Sequence, residues 1–249
     1  MPGFDGKSII VTGAASGIGA AAARILAARG AHVTLADRDE AGVGAIAEQI
    51  AQGGGKALAI AADIADSESV RAMIGAAVSA HGGLDGAINS AGVPQAAKPL
   101  HELGEAEWDF CLGVNLRGMF LCLKHQVAAM LGRGGAVVAI SSAAAEKGLF
   151  NSADYCASKA GVLGLVRAAA IDCAEHAIRV NALLPGATST PLAFRSRDAN
   201  PKLAGTLRVP MNRMAEPEEV AAAAIWLLSD EASYVTGACI AVDGGMGAT

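Results

Sequence analysis

Short apolar runs alternate with longer helix-patterned stretches along nearly the whole chain. Residues 8–12, 32–36, 56–61, 86–89, 135–140, 178–184 and 239–242 read as strands. Residues 17–29, 40–52, 67 to about 80, 105–131, 155 to about 175 and 217–228 read as helices. Strands joined through helices run parallel, and a parallel sheet needs helices on both faces to bury it. Composition suits that architecture. Hydrophobic residues make up 53% of the 249 residues, aromatics only 4%, and there are 31 glycines. Such a core is built from small and branched aliphatics, with backbone approaching closely. No repeat or linker divides the sequence, so one domain over residues 1–249 is expected. The exception to the pattern is residues 185–214, which show no clear periodicity. A loop of that length in a compact domain is commonly a binding loop. Four of its five cations, Arg195, Arg197, Lys202 and Arg208, suit either an acidic ligand or plain solvation.

Charge and cysteine usage exclude several functions. A formal net charge of −5 gives no basic surface for nucleic acid. The longest apolar stretches, such as residues 220–228, fall far short of the ~20 residues that span a bilayer. No basic leader precedes an apolar core at the N-terminus. Five cysteines with no Cys-x-x-Cys pair argue against a disulfide framework or structural zinc, and for a reducing, cytoplasmic setting. The five histidines form no ligand cluster, so no metal is expected.

Two constellations carry chemistry. The first is Thr12-Gly13-Ala14-Ala15-Ser16-Gly17-Ile18-Gly19, between the first strand and the first helix. Missing β-carbons let a pyrophosphate reach the backbone, and the helix N-terminus offers free N–H groups and a favourable dipole. An ordinary glycine turn is the competing explanation. No lysine follows, which disfavours a nucleotide triphosphatase. Asp37 stands 18 positions after Gly19, at the end of the second strand, where a carboxylate bonds the ribose hydroxyls of NAD. It would also repel a 2′-phosphate, so NAD is favoured over NADP. Arg38 is the contrary signal. The second constellation is Tyr155-Cys156-Ala157-Ser158-Lys159, with Ser142 ending the preceding strand. Tyrosine and lysine four apart share a helical face. A neighbouring ammonium favours the phenolate, and a tyrosine so tuned can exchange a hydroxyl proton while hydride moves at carbon. A surface pair at helical spacing would look the same. No G-x-S-x-G elbow points to a hydrolase.

Taken together, Thr12 to Gly19, Asn89-Ser90-Ala91-Gly92, Asn115, Ser142, Tyr155-x-x-x-Lys159 and Pro185-Gly186 resemble the short-chain dehydrogenase/reductase family in order and spacing. The resemblance implies a Rossmann-type, doubly wound α/β domain with seven parallel strands, usually a homotetramer. Tyr155 would be the acid/base, Lys159 its partner and a ribose ligand, Ser142 the holder of the substrate oxygen, and Asn115 the holder of a water. Of the two adjacent serines, Ser142 is chosen over Ser141 because it lies thirteen residues before the tyrosine. Gly13, Ser16, Gly17, Ile18, Gly19, Asp37, Arg38, Asp63, Ile64, Asn89, Ala91, Gly92, Pro185, Gly186, Thr188 and Thr190 would contact cofactor. Ser90 departs from the family's usual second asparagine. Gln95, Ala143, Ala144, Asn151, Leu192 and Phe194 would line a mostly apolar substrate pocket with Gln95 and Asn151 as polar guides. Several stretches, including residues 82–87 and 224–230, resemble bacterial members acting on cyclic secondary alcohols such as cyclohexadienediols. The expected partner is thus a small secondary alcohol or ketone. A cofactor-binding regulator or scaffold without turnover is the alternative.

Overall fold

A computed structural model describes residues 3–203 and 208–248. Seven strands form one parallel sheet: β1 (Ser8–Thr12), β2 (His32–Asp37), β3 (Lys56–Ala61), β4 (Gly86–Asn89), β5 (Gly135–Ile140), β6 (Ile178–Pro185) and β7 (Cys239–Val242). Their spatial order is β3-β2-β1-β4-β5-β6-β7. The period of two assigns alternate residues to opposite faces. In β1, Ile9 and Val11 join one core and Ile10 the other; in β5, Val138 and Val137 divide the same way. On one face lie α1 (Gly17–Ala28), α2 (Glu40–Gln52) and α8 (Pro217–Leu228). On the other lie α3 (Ser67–His81), α5 (Met119–Met130) and α6 (Ala153–Cys173). This is the doubly wound Rossmann-type arrangement. The strand order reverses between β1 and β4, so the loops leaving those strands part and open a crevice at the carboxyl edge of the sheet.

Local signals explain most boundaries. The Asp39 carboxylate accepts from Gly42 N at 3.0 Å and caps α2. Asp66 caps α3 through Glu68 N and Ser69 N, both at 3.2 Å, and the helix stops at Gly82 in the left-handed region. Arg179 closes the far end of α8. Its guanidinium donates to the carbonyls of Leu227 at 2.7 Å, Leu228 at 3.2 Å, Ser229 at 3.0 Å and Val235 at 3.3 Å. These include carbonyls that a helix end leaves without partners.

Two elements differ from the sequence reading. The long helix expected over residues 105–131 is α4 (Glu105–Leu112), a π-helical turn (Gly113–Gly118) and α5 in succession. Hydrophobic periodicity cannot register one inserted residue, so the π turn is invisible to it. The aperiodic segment 185–214 contains a helix, α7 (Pro191–Ala199), with Thr190 as its cap and Pro191 at its start. None of its residues is buried, which is why no apolar stripe announces it. Residues 204–207 of that segment lie outside the described residues.

Candidate active site

A cavity of about 720 Å³ opens along the carboxyl edge of the sheet. At one end is the glycine turn. Gly13 has φ +70°, and a β-carbon there would sit 2.7 Å from Ala91 N, so the turn can press onto the 89–92 segment only as glycine. Ser16 caps α1 without a side-chain bond to the helix, and its exposed hydroxyl and the first N–H groups face the crevice. Gly13, Ser16, Gly17, Ile18, Asp37, Arg38, Asp63, Ile64, Ala91 and Gly92 line this half. Gly19 lies beneath it, where a β-carbon would meet Gly13 O at 2.2 Å. Asn89 is also behind the wall: its amide and that of Gln126 exchange two hydrogen bonds of 2.8 Å. The Asp37 carboxylate accepts from Ala15 N at 3.2 Å and from Asp39 N at 3.1 Å, tying the glycine turn to the start of α2. Arg38 leans toward Asp63, 3.9 Å away.

The other half gathers Ser142, Tyr155 and Lys159 with Pro185, Gly186, Thr188 and Thr190. Ser142 follows β5, and its hydroxyl accepts from Ala144 N at 3.1 Å. Lys159 is 4% exposed, and its ammonium donates to the Ile140 carbonyl at 3.0 Å. Ser141 is not in competition with Ser142, because its hydroxyl donates to the Lys159 carbonyl at 2.9 Å and ties α6 to β5. Burial drives the electrostatics. It pushes the Tyr155 phenol up to about 12, against a hydrogen bond from Ser142 that pulls it down. Burial likewise brings the Lys159 ammonium down to about 8. Spacing alone suggests a tyrosine lowered by a neighbouring ammonium; burial instead raises it, and the opposing pull comes from Ser142.

Asn115 sits inside the π turn, 1% exposed and behind the cavity wall. Its carboxamide accepts from Val93 N at 2.8 Å and donates to Val93 O at 3.0 Å and to Ser158 Oγ at 3.3 Å. A β-carbon on Gly92 would meet Asn115 Oδ1 at 3.0 Å and Lys159 Nζ at 3.6 Å, so asparagine and lysine flank one glycine. π turns recur at functional sites because they re-aim side chains in a helix.

Among the expected substrate residues, Gln95, Ala144, Leu192 and Phe194 line the cavity; Ala143 and Asn151 do not. Asn151 has φ +52°, a left-handed conformation that asparagine tolerates better than most residues. Its presence has that local conformational reason. The Thr190 hydroxyl accepts from Ala193 N at 3.2 Å, capping α7. Leu149, Val209, Met214 and Met246 also line the cavity. They are scattered apolar residues with no motif, and only the fold assembles them. Cys156 makes a 3.7 Å contact to the Lys147 carbonyl, and burial pushes its thiol up, as suits a small packed side chain. Among the described residues no cluster of metal-ligating side chains occurs, and no helix is long and apolar enough to cross a membrane.

Comparison with known proteins gives this geometry a chemical setting. A family model described as enoyl-(acyl carrier protein) reductase matches residues 13–247. The chain is 46% identical over 250 residues to a 2,5-dichloro-2,5-cyclohexadiene-1,4-diol dehydrogenase of Sphingobium indicum, covering 98% of each. It is 44% identical over 243 residues to a cis-4-hydroxycyclohexanecarboxylate dehydrogenase of Sinomonas cyclohexanicum, covering 97% of each. The crystal structure of a 3-ketoacyl-(acyl-carrier-protein) reductase from Brucella melitensis complexed with NADH superposes with a TM-score of 0.90 at 34% identity, covering 98% of this chain and 99% of that one. Relatives of this kind support turnover and not a silent cofactor-binding role. The chain belongs to the short-chain dehydrogenase/reductase family and is an oxidoreductase acting on the CH–OH group of secondary alcohols or on the matching ketones.

Proposed function

We propose that the chain is an NAD-dependent dehydrogenase of cyclic secondary alcohols, with Tyr155 as its proton-transfer group. The observation that carries this is the convergence of Ser142, Tyr155 and Lys159 on the cavity whose other end is the glycine turn. The residues present fit a dinucleotide: Gly13 lets the turn close onto the 89–92 segment, and Ser16, Gly17 and Ile18 at the start of α1 line the cavity beside it. Gly13, Ser16, Gly17 and Ile18 would hold the pyrophosphate, Asp37 the adenosine ribose, Asp63 and Ile64 the adenine end. Ala91, Gly92, Pro185, Gly186, Thr188 and Thr190 would enclose the nicotinamide end. Hydride exchange at carbon is the chemistry that the cofactor supplies when bound. Tyr155 takes the hydroxyl proton in oxidation and returns it in reduction. Ser142 donates to the substrate oxygen and fixes it beside the phenol. Lys159 has three donors, of which one meets Ile140 O; the others would serve a ribose. Asn115 braces the backbone at Val93 against Lys159's helix and completes the path for a water.

NAD is preferred over NADP because the Asp37 carboxylate faces the ribose position. A cyclic, apolar-bodied alcohol suits the walls formed by Leu149, Leu192, Phe194, Met214 and Met246. Residues 185–214 act as the substrate loop. Five unpaired cysteines fit a cytoplasmic protein. A homotetramer is supported by apolar residues left exposed on helices: Phe110 on α4, Phe120 on α5 and Ile171, 79% exposed, on α6. Light scattering reads that assembly directly. The function itself is tested by screening cyclic and acyclic secondary alcohols with NAD and NADP in parallel. NADH formation from cyclic alcohols is the expected result, and no turnover of any secondary alcohol with either cofactor would overturn the reading.

A further inference from the structure

Gln95 lines the cavity, yet both ends of its amide are already engaged. Its Nε2 donates to the Ser196 carbonyl at 3.2 Å, and the Ser196 hydroxyl donates to its Oε1 at 2.8 Å. The partners are 101 positions apart, and Gln95 is 8% exposed. Ser196 lies on α7, which forms the outer wall of the cavity but buries none of its own residues. Only Leu192, Ala193 and Ser196 of this helix are half-buried, so packing holds it lightly and polar ties add to its hold. A second tie stands four residues further on: Asn200, 2% exposed, donates to the Phe150 carbonyl at 2.7 Å. Both ties lead to the start of the helix that carries Tyr155. The Phe150 carbonyl also accepts from the hydroxyl of Ser152, the residue that caps α6, at 2.8 Å. Ala96, next to Gln95, donates its N–H to the buried Asp154 carboxylate at 2.9 Å.

We propose that Gln95 and Ser196 are a positioning pair, a latch that holds α7 over the reacting end of the cavity in register with Tyr155. The proposal rests on the reading of that cavity as the alcohol site. It gives Gln95 a different task from contacting substrate: its amide is complementary to the backbone and hydroxyl of Ser196. Breaking the latch frees α7 to swing outward, weakening retention of substrate while leaving the phenol, the lysine and the serine in place.

The test uses Ser196→Ala, Gln95→Leu and Gln95→Glu. Arg195 and Arg197 on α7 are exposed, so trypsin cleavage there reports how often the helix detaches. Loss of two ordinary hydrogen bonds corresponds to roughly tenfold. We expect cleavage at these arginines about tenfold faster in Ser196→Ala and Gln95→Leu, at an unchanged melting temperature. The KM for alcohol rises by about the same factor, with kcat held or increased. Gln95→Glu supplies a readout that general loosening would not. Its carboxyl can donate to the Ser196 carbonyl only when protonated, and burial at this position raises it above the ordinary ~4.3, so slow cleavage returns as pH falls toward about 5 and is lost at about pH 8; the wild type shows no such swing. Unchanged cleavage and unchanged KM in Ser196→Ala and Gln95→Leu overturn the latch. Because proteolysis needs no turnover, a wild type that oxidises no alcohol refutes the proposed function, while the cleavage rates still decide whether the latch exists.

Discussion

The Lys159 ammonium lies 5.7 Å from the centre of the Tyr155 ring, on its face, and both groups are displaced from their ordinary titration ranges by burial. Tyrosine stands at about 12 and lysine at about 8, so over neutral to alkaline pH the lysine titrates before the tyrosine.

A pH profile follows. Alcohol oxidation needs the phenolate, whose fraction grows about tenfold per pH unit below its pKa. We expect kcat/KM for oxidation to climb with pH from about 7, at close to tenfold per unit, and less steeply above about 8. Above that pH the Lys159 ammonium itself is lost. Ketone reduction needs the protonated phenol, which persists throughout, and should stay flat over the same range. Tyr155→Phe should lower both directions by about 10²–10⁴-fold with cofactor binding retained. Flat oxidation between about pH 7 and 10, with a substrate isotope effect showing chemistry to be limiting, would remove Tyr155 from this role.

Cofactor choice gives a second prediction. In the proposed site Asp37 would meet an arriving ribose with a carboxylate, while the Arg38 guanidinium stands 3.9 Å from Asp63. Asp37→Ala should weaken NAD and relieve repulsion of a 2′-phosphate, moving the kcat/KM ratio toward NADP by about tenfold or more. Part of the loss for NAD will be structural, since Asp37 also accepts from Ala15 N and Asp39 N. Asp37→Asn separates the two effects by keeping an acceptor without the charge. A wild type that prefers NADP would show that Arg38 dominates.

The sheet, its parallel sense and the helices on both faces were legible because periodicity is a local property that survives in a single sequence. The glycine turn and the Tyr155–Lys159 pair were legible because their chemistry depends on short spacings. What stayed hidden depends on distance. Nothing near Gln95 announces Ser196, and nothing near Asn89 announces Gln126, because amide partners are chosen by the fold. Asn151 shows the opposite ambiguity: a polar side chain near Ser142 suggests a ligand, while it does not line the cavity and its left-handed backbone gives asparagine a local reason to be there. The pKa of Tyr155 was not legible: spacing suggests an ammonium that lowers it, while burial, which spacing cannot report, raises it.

The π turn makes Asn115 a third point of attack. Its carboxamide satisfies both polar groups of the Val93 backbone, so Asn115→Leu leaves a half-buried N–H and carbonyl without that partner. Such groups cost about 1–3 kcal/mol each. We expect a fall in stability of about that size together with a kcat loss larger than any change in cofactor affinity. Asn115→Asp keeps the acceptor for Val93 N but not the donor, and should recover part of the stability. Denaturant titration and steady-state kinetics on the same samples measure both, and a variant with native stability and native kcat would refute the bracing role.

The last prediction lies far from the chemistry. Arg179 spans the end of α8 with hydrogen bonds to four carbonyls between 2.7 and 3.3 Å. Burial lowers its pKa, opposed by Asp230, yet a guanidinium stays charged and complements the negative end of the helix dipole. Hydrogen bonds to charged groups contribute about 1.5–3 kcal/mol, and they are not additive when they share one donor. Arg179→Met keeps most of the apolar stem and removes the fork. It should cost about 2–3 kcal/mol, or about 5–10 °C in Tm for a chain of this size. Arg179→Lys should recover less than half, because a compact ammonium cannot span four carbonyls set by a planar group. None of these groups lines the cavity, so kcat per folded molecule should be unchanged in both variants. A Met variant within about 0.5 kcal/mol of wild type, the ordinary range of surface substitutions, would show that water caps α8 as well as Arg179 does.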